Sequence, residues 1–347
     1  MVMKVYNLCF LGFGNVGRSL AGLLLEKRRE MRERYNIEWR ITGAASRRMG
    51  WLVNVDGFDV ESLLAGQSAS SISQPPADVR QWLRAARADV LFETTSLEPH
   101  TGQPGIEHIR AGLESGAHIV TANKGPIVHA FEELNALAEA SERRFMFEAT
   151  VADCLPIFSM FRECLPMVRV LGFRAVLNST SSIIIEEMER GHTFEEGVAR
   201  AQALGVTETD PSYDVDGWDS AVKVCALARV LMRAPLKLEE VEREGIRNLD
   251  SKRVQSALAE GRPIKLVARA RSLDGRVKAS VRPEQVSPDD PLAMTSGTSL
   301  MVHFELDVLP GLTIMAHSPD LKSTAYGLLA DFINAVNSNR DGQRLSG

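Results

Sequence analysis

The sequence predicts an α/β protein built as two domains, and three observations carry that expectation. The chain has 347 residues, more than one average hydrophobic core organises, so two domains is the natural prior. Its first half alternates short apolar runs with amphipathic stretches, the pattern of strands joined by helical crossovers in a mainly parallel sheet. After about residue 150 that pattern gives way to helices followed by shorter strand-like pieces. The expected domains are therefore 1–150 and 151–320, with a C-terminal helix inside 321–347 packing back on the first.

Residues 5–12 are the first strand, an apolar run that closes on glycine. One lysine before such a run imitates a secretion signal. The run is short, however, lacks a small-residue cleavage site, and flows straight into a glycine turn. Residues 16–35 are helical, with Val16, Leu20, Leu23, Leu24 and Met31 on one face. The charges Glu26-Lys27-Arg28-Arg29-Glu30 on that helix mix signs, which reads as a solvated face and not a basic patch. Strands are expected at 39–45, 89–94, 118–122 and 145–149, with helices at 106–115 and 131–141. The second domain opens with a strand at 168–178 and helices at 182–190 and 193–204. An acidic loop, 207–216, leads to a helix at 218–231. Strand-like pieces follow at 265–272, 278–283, 299–308 and 311–316, then a helix at 324–336 and a polar tail.

Composition closes off several classes. With 44% hydrophobic and 24% charged residues the chain is ordinarily globular. A net charge of -5 gives no reason to expect nucleic acid or an anionic membrane as partner. No segment approaches the roughly 18–20 uninterrupted apolar residues of a membrane helix. Cys9, Cys154, Cys164 and Cys225 are scattered, without a C-x-x-C pair, as expected of packing cysteines in a reduced, cytoplasmic protein. His100, His108, His118 and His129 have no ligand spacing and read as structural residues.

The sharpest local signal is Gly12-Phe13-Gly14-Asn15-Val16-Gly17. As a bare G-x-G-x-x-G it is weak, but it follows an apolar strand and opens an amphipathic helix, the context its mechanism requires. Gly12 permits the tight turn, Gly14 lets backbone approach a pyrophosphate, and Gly17 lets helix and strand pack closely. Unpaired N–H groups of the helix then face the phosphates. A ligand-free βα turn is the competing reading, and the context favours a dinucleotide. At the end of the second strand, Ala44-Ala45-Ser46-Arg47-Arg48 has no carboxylate for a ribose 2′-hydroxyl. Ser46 and Arg47 suit a 2′-phosphate, which favours NADP(H) over NAD(H); in the other reading both arginines face solvent.

Further blocks run over nearly the whole chain. They are Glu93-Thr94-Thr95-Ser96, Thr101-Gly102-Gln103-Pro104-Gly105, and Val120-Thr121-Ala122-Asn123-Lys124-Gly125-Pro126. Next come Glu148-Ala149-Thr150-Val151 with Leu155-Pro156, and Val176-Leu177-Asn178. The last are Ala201-Gln202-Ala203-Leu204-Gly205, Glu208, Asp210-Pro211, and Asp214-Val215-Asp216-Gly217-Trp218-Asp219 to Lys223. In this order they resemble the homoserine dehydrogenase family. The resemblance implies a Rossmann dinucleotide-binding domain joined to an α/β substrate and dimerisation domain, and hence a homodimer. It implies interconversion of L-homoserine and L-aspartate 4-semialdehyde, in the threonine and methionine branch of amino-acid biosynthesis. It also implies that Lys223 donates the proton and Lys124 assists, while Glu208 and Asp219, with Thr180, hold the amino-acid substrate. Thr94, Thr95, Lys124 and Gly205 join the glycine turn and Arg47 around the coenzyme. Glu148, Val151 and Asp153 match a segment that lines a monovalent-cation site in some members; a strand ending in a tight loop is the equal reading.

The residues make chemical sense beside the resemblance. Reducing an aldehyde needs a hydride at carbon and a proton at oxygen, and lysine can both stabilise a developing alkoxide and supply that proton. Lys124 follows a parallel strand, at the carboxyl edge where ligands bind. Asp219 and Lys223, four apart on a helix, share a face; on spacing alone they would be an ordinary surface pair.

Three places depart from the family pattern. Ala152-Asp153-Cys154 stands where glycines are usual, and Ser179 interrupts the N-G-T block while Thr180 keeps its place. Met315-Ala316-His317-Ser318-Pro319-Asp320 replaces a glycine-rich loop, so His317 and Asp320 are expected to fill space near the cofactor. Too little chain follows residue 336 for the regulatory domain some members append, so no threonine feedback through it is expected. Two other readings stay open. One is a related dehydrogenase for another small hydroxy or oxo amino acid, motivated by Asp153 and Ser179. The other is a non-catalytic dinucleotide-binding protein, motivated by the altered loop.

Overall fold

The computed structural model describes residues 3–71, 76–207 and 210–337. They form two compact units, one of residues up to Cys154 plus those from Leu321 onward, the other Leu155–Asp320.

The first unit is a six-stranded sheet in the order β3-β2-β1-β4-β5-β6. Its strands are β1 (Lys4–Leu11), β2 (Ile37–Ser46), β3 (Gly50–Val53), β4 (Val90–Glu93), β5 (His118–Thr121) and β6 (Phe145–Met146). All pair in parallel except β3, which returns antiparallel to β2 as a hairpin. Helices α1 (Asn15–Tyr35), α2 (Val60–Leu64), α3 (Val79–Ala85), α4 (Gly105–Glu114) and α5 (Lys124–Ala140) connect them. Strand order reverses between β1 and β4, the switch point where α/β sheets place ligands at the carboxyl ends of their strands. The core joins Leu8 and Phe10 of β1, Phe92 of β4 and the apolar face of α1. The C-terminal helix of the chain, α12 (Leu321–Val336), completes it with Leu328, Leu329 and Phe332.

In the first unit, two element boundaries that differ by three residues or more from the pattern reading each have a local reason. The helix expected from residue 131 begins at Lys124, because Asn123 caps it by accepting from Gly125 N (3.1 Å). Ala130, at φ -143° and ψ 22°, kinks it, so the apolar periodicity restarts at the second segment. The strand expected at 145–149 stops at Met146, and Glu148–Thr150 tightens into a 3-10 turn in which Thr150 Oγ1 donates to the Phe147 carbonyl.

The second unit holds a sheet in the order β12-β11-β7-β9-β10-β8. Its strands are β7 (Val170–Val176), β8 (Glu242–Arg243), β9 (Ile264–Leu273), β10 (Arg276–Gln285), β11 (Leu300–Leu306) and β12 (Leu312–Ala316). Every pairing is antiparallel except β8 with β10. Its helices are α6 (Ile157–Ser159), α7 (Ser179–Glu189), α8 (Phe194–Ala203), α9 (Ser212–Val215), α10 (Trp218–Met232) and α11 (Ser251–Ala259), of which α7 and α10 pack on β9. Here α7 starts three residues before the expected position, because Asn178 Oδ1 accepts from Ser181 N (2.8 Å). The acidic stretch expected as loop contains α9, one short helical turn that orients its carboxylates.

Candidate active site

In the first unit the glycine turn is built by contact. Gly12 N and Phe13 N both donate to the Ala45 carbonyl at the end of β2 (2.9 and 3.1 Å). Gly12 adopts φ +100°, and a Cβ there would lie 2.4 Å from the Thr94 carbonyl. At Gly17 a Cβ would lie 2.8 Å from the Gly12 carbonyl, so helix and turn touch backbone to backbone. Gly14 has nothing within 4 Å of such an atom, which leaves an approach open beside the first turn of α1. Gly14 caps α1 without a side-chain hydrogen bond, so no side chain competes for those N–H groups. Asn15 is exposed, Val16 half-buried, and Phe13 packs edge-on to Phe10 (5.6 Å).

Around the turn lie the ends of three strands. Thr94 Oγ1 donates to the Gly12 carbonyl (2.7 Å), which ties the end of β4 to the turn. Ser46, Arg47 and Arg48 follow Ala45, so the Ala45 bonds set them beside it. Both arginines are exposed, and Ser46 Oγ accepts from Met49 N (3.2 Å). Lys124 opens α5 directly after β5, at the same carboxyl edge.

In the second unit the polar residues converge where β7, α7, α9 and α10 meet. Lys223 donates to Asp219 Oδ2 (2.8 Å) and to the Leu177 carbonyl (2.5 Å) just past β7. Asp219 is only 9% exposed, so this is no ordinary surface pair. Asn178 Nδ2 bridges two carboxylates, at 2.7 Å from Asp214 and 3.1 Å from Asp219. Thr180 and Thr207 donate to the other oxygen of Asp214 (2.9 and 3.2 Å). Burial, followed by the charge of Asp219, pushes the Asp214 carboxyl above the usual carboxylate range, against the hydrogen bonds of Asn178 and Thr180 and the charge of Lys223. Asp214 and Asn178 are the functional candidates that residue reasoning passed over, although both sit inside the motifs that carry the resemblance. Asp216 turns away and binds Arg247 through both oxygens (2.8 and 3.0 Å).

The remaining expected site residues are placed as follows. Glu208 lies outside the described residues. Gly205 sits in the second unit at φ +70°, where it ends α8. Glu148 is buried, its N–H donating to Asp331 of α12 (2.7 Å). Asp153, at φ +54°, accepts from Thr324 Oγ1 (2.6 Å). The Asp153 carbonyl lies 2.7 Å from where a Cβ on Gly327 would stand. Among the described residues no three His, Cys, Asp or Glu side chains cluster as metal ligands.

The other two departures are linked. Ser179 Oγ donates to the Thr298 carbonyl (3.1 Å), and Thr298 Oγ1 donates to the Pro319 carbonyl (3.1 Å). Ser318, at φ +46°, donates its N–H to Ser299 Oγ (3.3 Å). His317 and Asp320 are exposed, so their side chains do not fill the interior of their unit.

Comparison with known proteins matches the chain in two blocks that break between residues 148 and 156, the second running on into α12. The family model for the homoserine dehydrogenase NAD binding domain matches residues 12–148, and the homoserine dehydrogenase model matches 156–333. The chain is 34% identical to an NAD(+)-dependent homoserine dehydrogenase of Pseudomonas canavaninivorans, over 96% of each chain. It is 29% identical to a homoserine dehydrogenase of Methanocaldococcus jannaschii, over 96% of this chain and 99% of that one. Among solved structures it resembles a putative homoserine dehydrogenase from Archaeoglobus fulgidus (TM-score 0.83, 29% identity, 95% and 98% coverage). A hyperthermophilic archaeal homoserine dehydrogenase mutant in complex with NADPH gives a TM-score of 0.80 at 27% identity, over 98% and 100% of the two chains. With family models covering both units and a relative matched nearly end to end, the chain belongs to the homoserine dehydrogenase family.

Proposed function

We propose that the chain interconverts L-homoserine and L-aspartate 4-semialdehyde, with the first unit binding the nicotinamide dinucleotide and the second holding the amino acid. The observation that carries this reading is the buried set Asp214, Asp219 and Lys223. The Asp214 and Asp219 carboxylates gather acceptor oxygens of the kind the α-ammonium of an amino-acid substrate requires. Asn178 and Thr180 orient the carboxylates for it. Lys223, held by Asp219 and the Leu177 carbonyl, gives its proton to the developing alkoxide during reduction and recovers it during oxidation. Glu208 and Lys124 assist at the substrate. The bound coenzyme supplies or accepts the hydride; Gly12, Gly14, Gly17, Thr94 and Thr95 shape the backbone that receives it.

Purified protein should oxidise homoserine with a dinucleotide, and Lys223→Ala should lower kcat by about 10²–10⁴-fold. No turnover by the parent with either coenzyme would overturn the proposal; turnover only with another hydroxy amino acid would favour the related-dehydrogenase reading.

Arg47, exposed beside the glycine turn, supports a preference for NADP(H). Arg47→Ala should then cost about tenfold or more in kcat/KM with NADPH and leave NADH nearly unchanged. We further propose a homodimer, because among the described residues β12 lies at an unpaired edge of the second sheet; a monomeric mass by light scattering at micromolar concentration would contradict it. A monovalent cation at Glu148, Val151 and Asp153 is a structural clamp in this reading. Exchanging potassium for tetramethylammonium should then lower the unfolding temperature, and an unchanged one would remove the cation from the account.

A further inference from the structure

Glu93 is an odd residue in its place. It is the last residue of β4, whose four positions are all buried, and a strand covered on both faces is ordinarily apolar throughout. The Glu93 side chain is 0% exposed, and a buried carboxylate is costly unless its oxygens are hydrogen-bonded. Among the described residues the basic side chain within 4 Å is His108 of α4, whose Nδ1 stands 3.6 Å from Oε1.

What the carboxylate does hold is the segment in front of α5. Oε1 accepts from Thr95 N (3.2 Å) and, at a short distance, from Thr95 Oγ1. Oε2 accepts from Thr121 Oγ1 (3.0 Å). Both threonines then grip Asn123: its N–H donates to Thr121 Oγ1 (3.0 Å), and its Nδ2 reaches Thr95 Oγ1 (3.4 Å). Asn123 in turn caps α5 through Gly125 N, with Lys124 between them as the first helical residue. The Asn123 side chain is itself pressed by the 102–105 loop, since a Cβ on Gly105 would lie 2.8 Å from Nδ2. The carboxylate of Glu93 is thus the common acceptor of the two threonines that fix the helix cap before Lys124.

We infer that Glu93 is a positioning residue for Lys124 and Thr95, acting through hydrogen-bond geometry and not through its charge. This rests on the reading of Lys124 as a residue of the active site. Glutamine can satisfy the same pattern. Its amide oxygen replaces Oε1, and its NH₂ donates to Thr121 Oγ1, whose own proton turns to the Glu93 carbonyl 2.9 Å away. Leucine has similar bulk, keeps the apolar packing and removes every acceptor.

The test compares Glu93→Gln, Glu93→Leu, Thr121→Val and Lys124→Ala by steady-state kinetics and by coenzyme titration of the whole protein. Glu93→Gln should keep kcat within about threefold, while Glu93→Leu and Thr121→Val should lower it about thirtyfold or more, the scale of a catalytic group displaced by about an ångström. Coenzyme affinity should stay within about threefold in Glu93→Gln and Thr121→Val and weaken in Glu93→Leu, which releases Thr95, and the kcat losses from Glu93→Leu and Lys124→Ala should not add in the double variant. Three results would overturn the inference: full kcat in Glu93→Leu and Thr121→Val, additive losses with Lys124→Ala, or a Glu93→Gln variant as impaired as Glu93→Leu. Full activity in Lys124→Ala would instead remove the reading of Lys124. Should Glu93→Leu fail to fold, Thr121→Val removes one of the two links with an isosteric side chain, and full kcat in that variant would still overturn the inference.

Discussion

Asp214, Asp216 and Asp219 lie within six residues and have three different fates, which spacing alone could not assign. The single helical turn of α9 directs Asp214 to Asn178 and Thr180, while Asp216 leaves the cluster for Arg247. Spacing alone left Asp219 and Lys223 as an ordinary surface pair and the family resemblance singled them out; the structure closes the pair at 2.8 Å. Because the Asp214 carboxyl titrates above its usual range, the acidic limb of kcat/KM should lie above that range too. Thr180→Val removes a hydrogen bond that lowers it, so the limb should move further up and KM for homoserine should rise. A limb that stays put or moves down would separate Asp214 from catalysis. A second titration concerns stability. Burial, then the charges of Arg143, Lys4 and Arg144, push the His118 imidazole down to about 4. Unfolded histidine binds its proton near about 6.5. Between those values the unfolded chain holds a proton the folded chain lacks, so stability rises with pH across the window and falls as pH drops through it. His118→Asn retains an acceptor for the Arg144 N–H, 3.0 Å from Nδ1 in the parent. It should flatten the loss in urea midpoint between pH 7 and pH 5; an equal loss would assign acid sensitivity elsewhere.

At the scale of elements, strong periodicity was readable and short or capped pieces were not. The helix of 21 residues at α1 shows its apolar face plainly, and β1 its apolar run. β3, α2 and α3 escaped because pieces of 4–7 residues carry too few periods to register, whereas the equally short β4 and β5 registered as continuous apolar runs. The starts of α5 and α7 were misplaced for one shared reason: Asn123 and Asn178 cap them through local hydrogen bonds that hydrophobic patterning does not contain. Both of those caps adjoin functional candidates, Lys124 and Thr180. The C-terminal helix α12 makes its contribution through long-range packing. Phe332 is fully buried and meets Tyr6 and Phe92 edge-on, with ring centroids 6.0 and 5.8 Å away. Asp331 accepts from Glu148 N beside it. Phe332→Ala should therefore cost about 3–5 kcal/mol in denaturant unfolding. A loss below about 1 kcal/mol would mean that α12 can be released without disturbing the first sheet.

At the scale of the whole molecule, each unit has its own sheet and its own set of polar candidates. The glycine turn, Thr94, Thr95 and Lys124 belong to the first unit; Asp214, Asp219 and Lys223 belong to the second. The change of pattern near residue 150 was visible in the sequence because a parallel sheet built from crossovers and an antiparallel sheet built from hairpins use different connection lengths. The pairing order of the second sheet was not visible: β7 pairs with β9 and β11, nearly a hundred residues or more away, and no local signal encodes such partners. Candidate residues carried by two different units make a distinct expectation for ligand linkage. A ligand that binds only the folded state stabilises it by RT ln(1 + [L]/Kd), about 2.7 kcal/mol at a hundredfold excess over Kd. If the dinucleotide binds at the glycine turn, saturating NADPH should slow amide exchange most in β1, β4, β5 and α12, the strands and helix that share that core. Exchange in β7, β9 and β11 should change less, because their opening does not require the turn to break. Equal protection of both sheets would mean the units open together as one cooperative block. Protection confined to the second sheet would remove the coenzyme from the glycine turn.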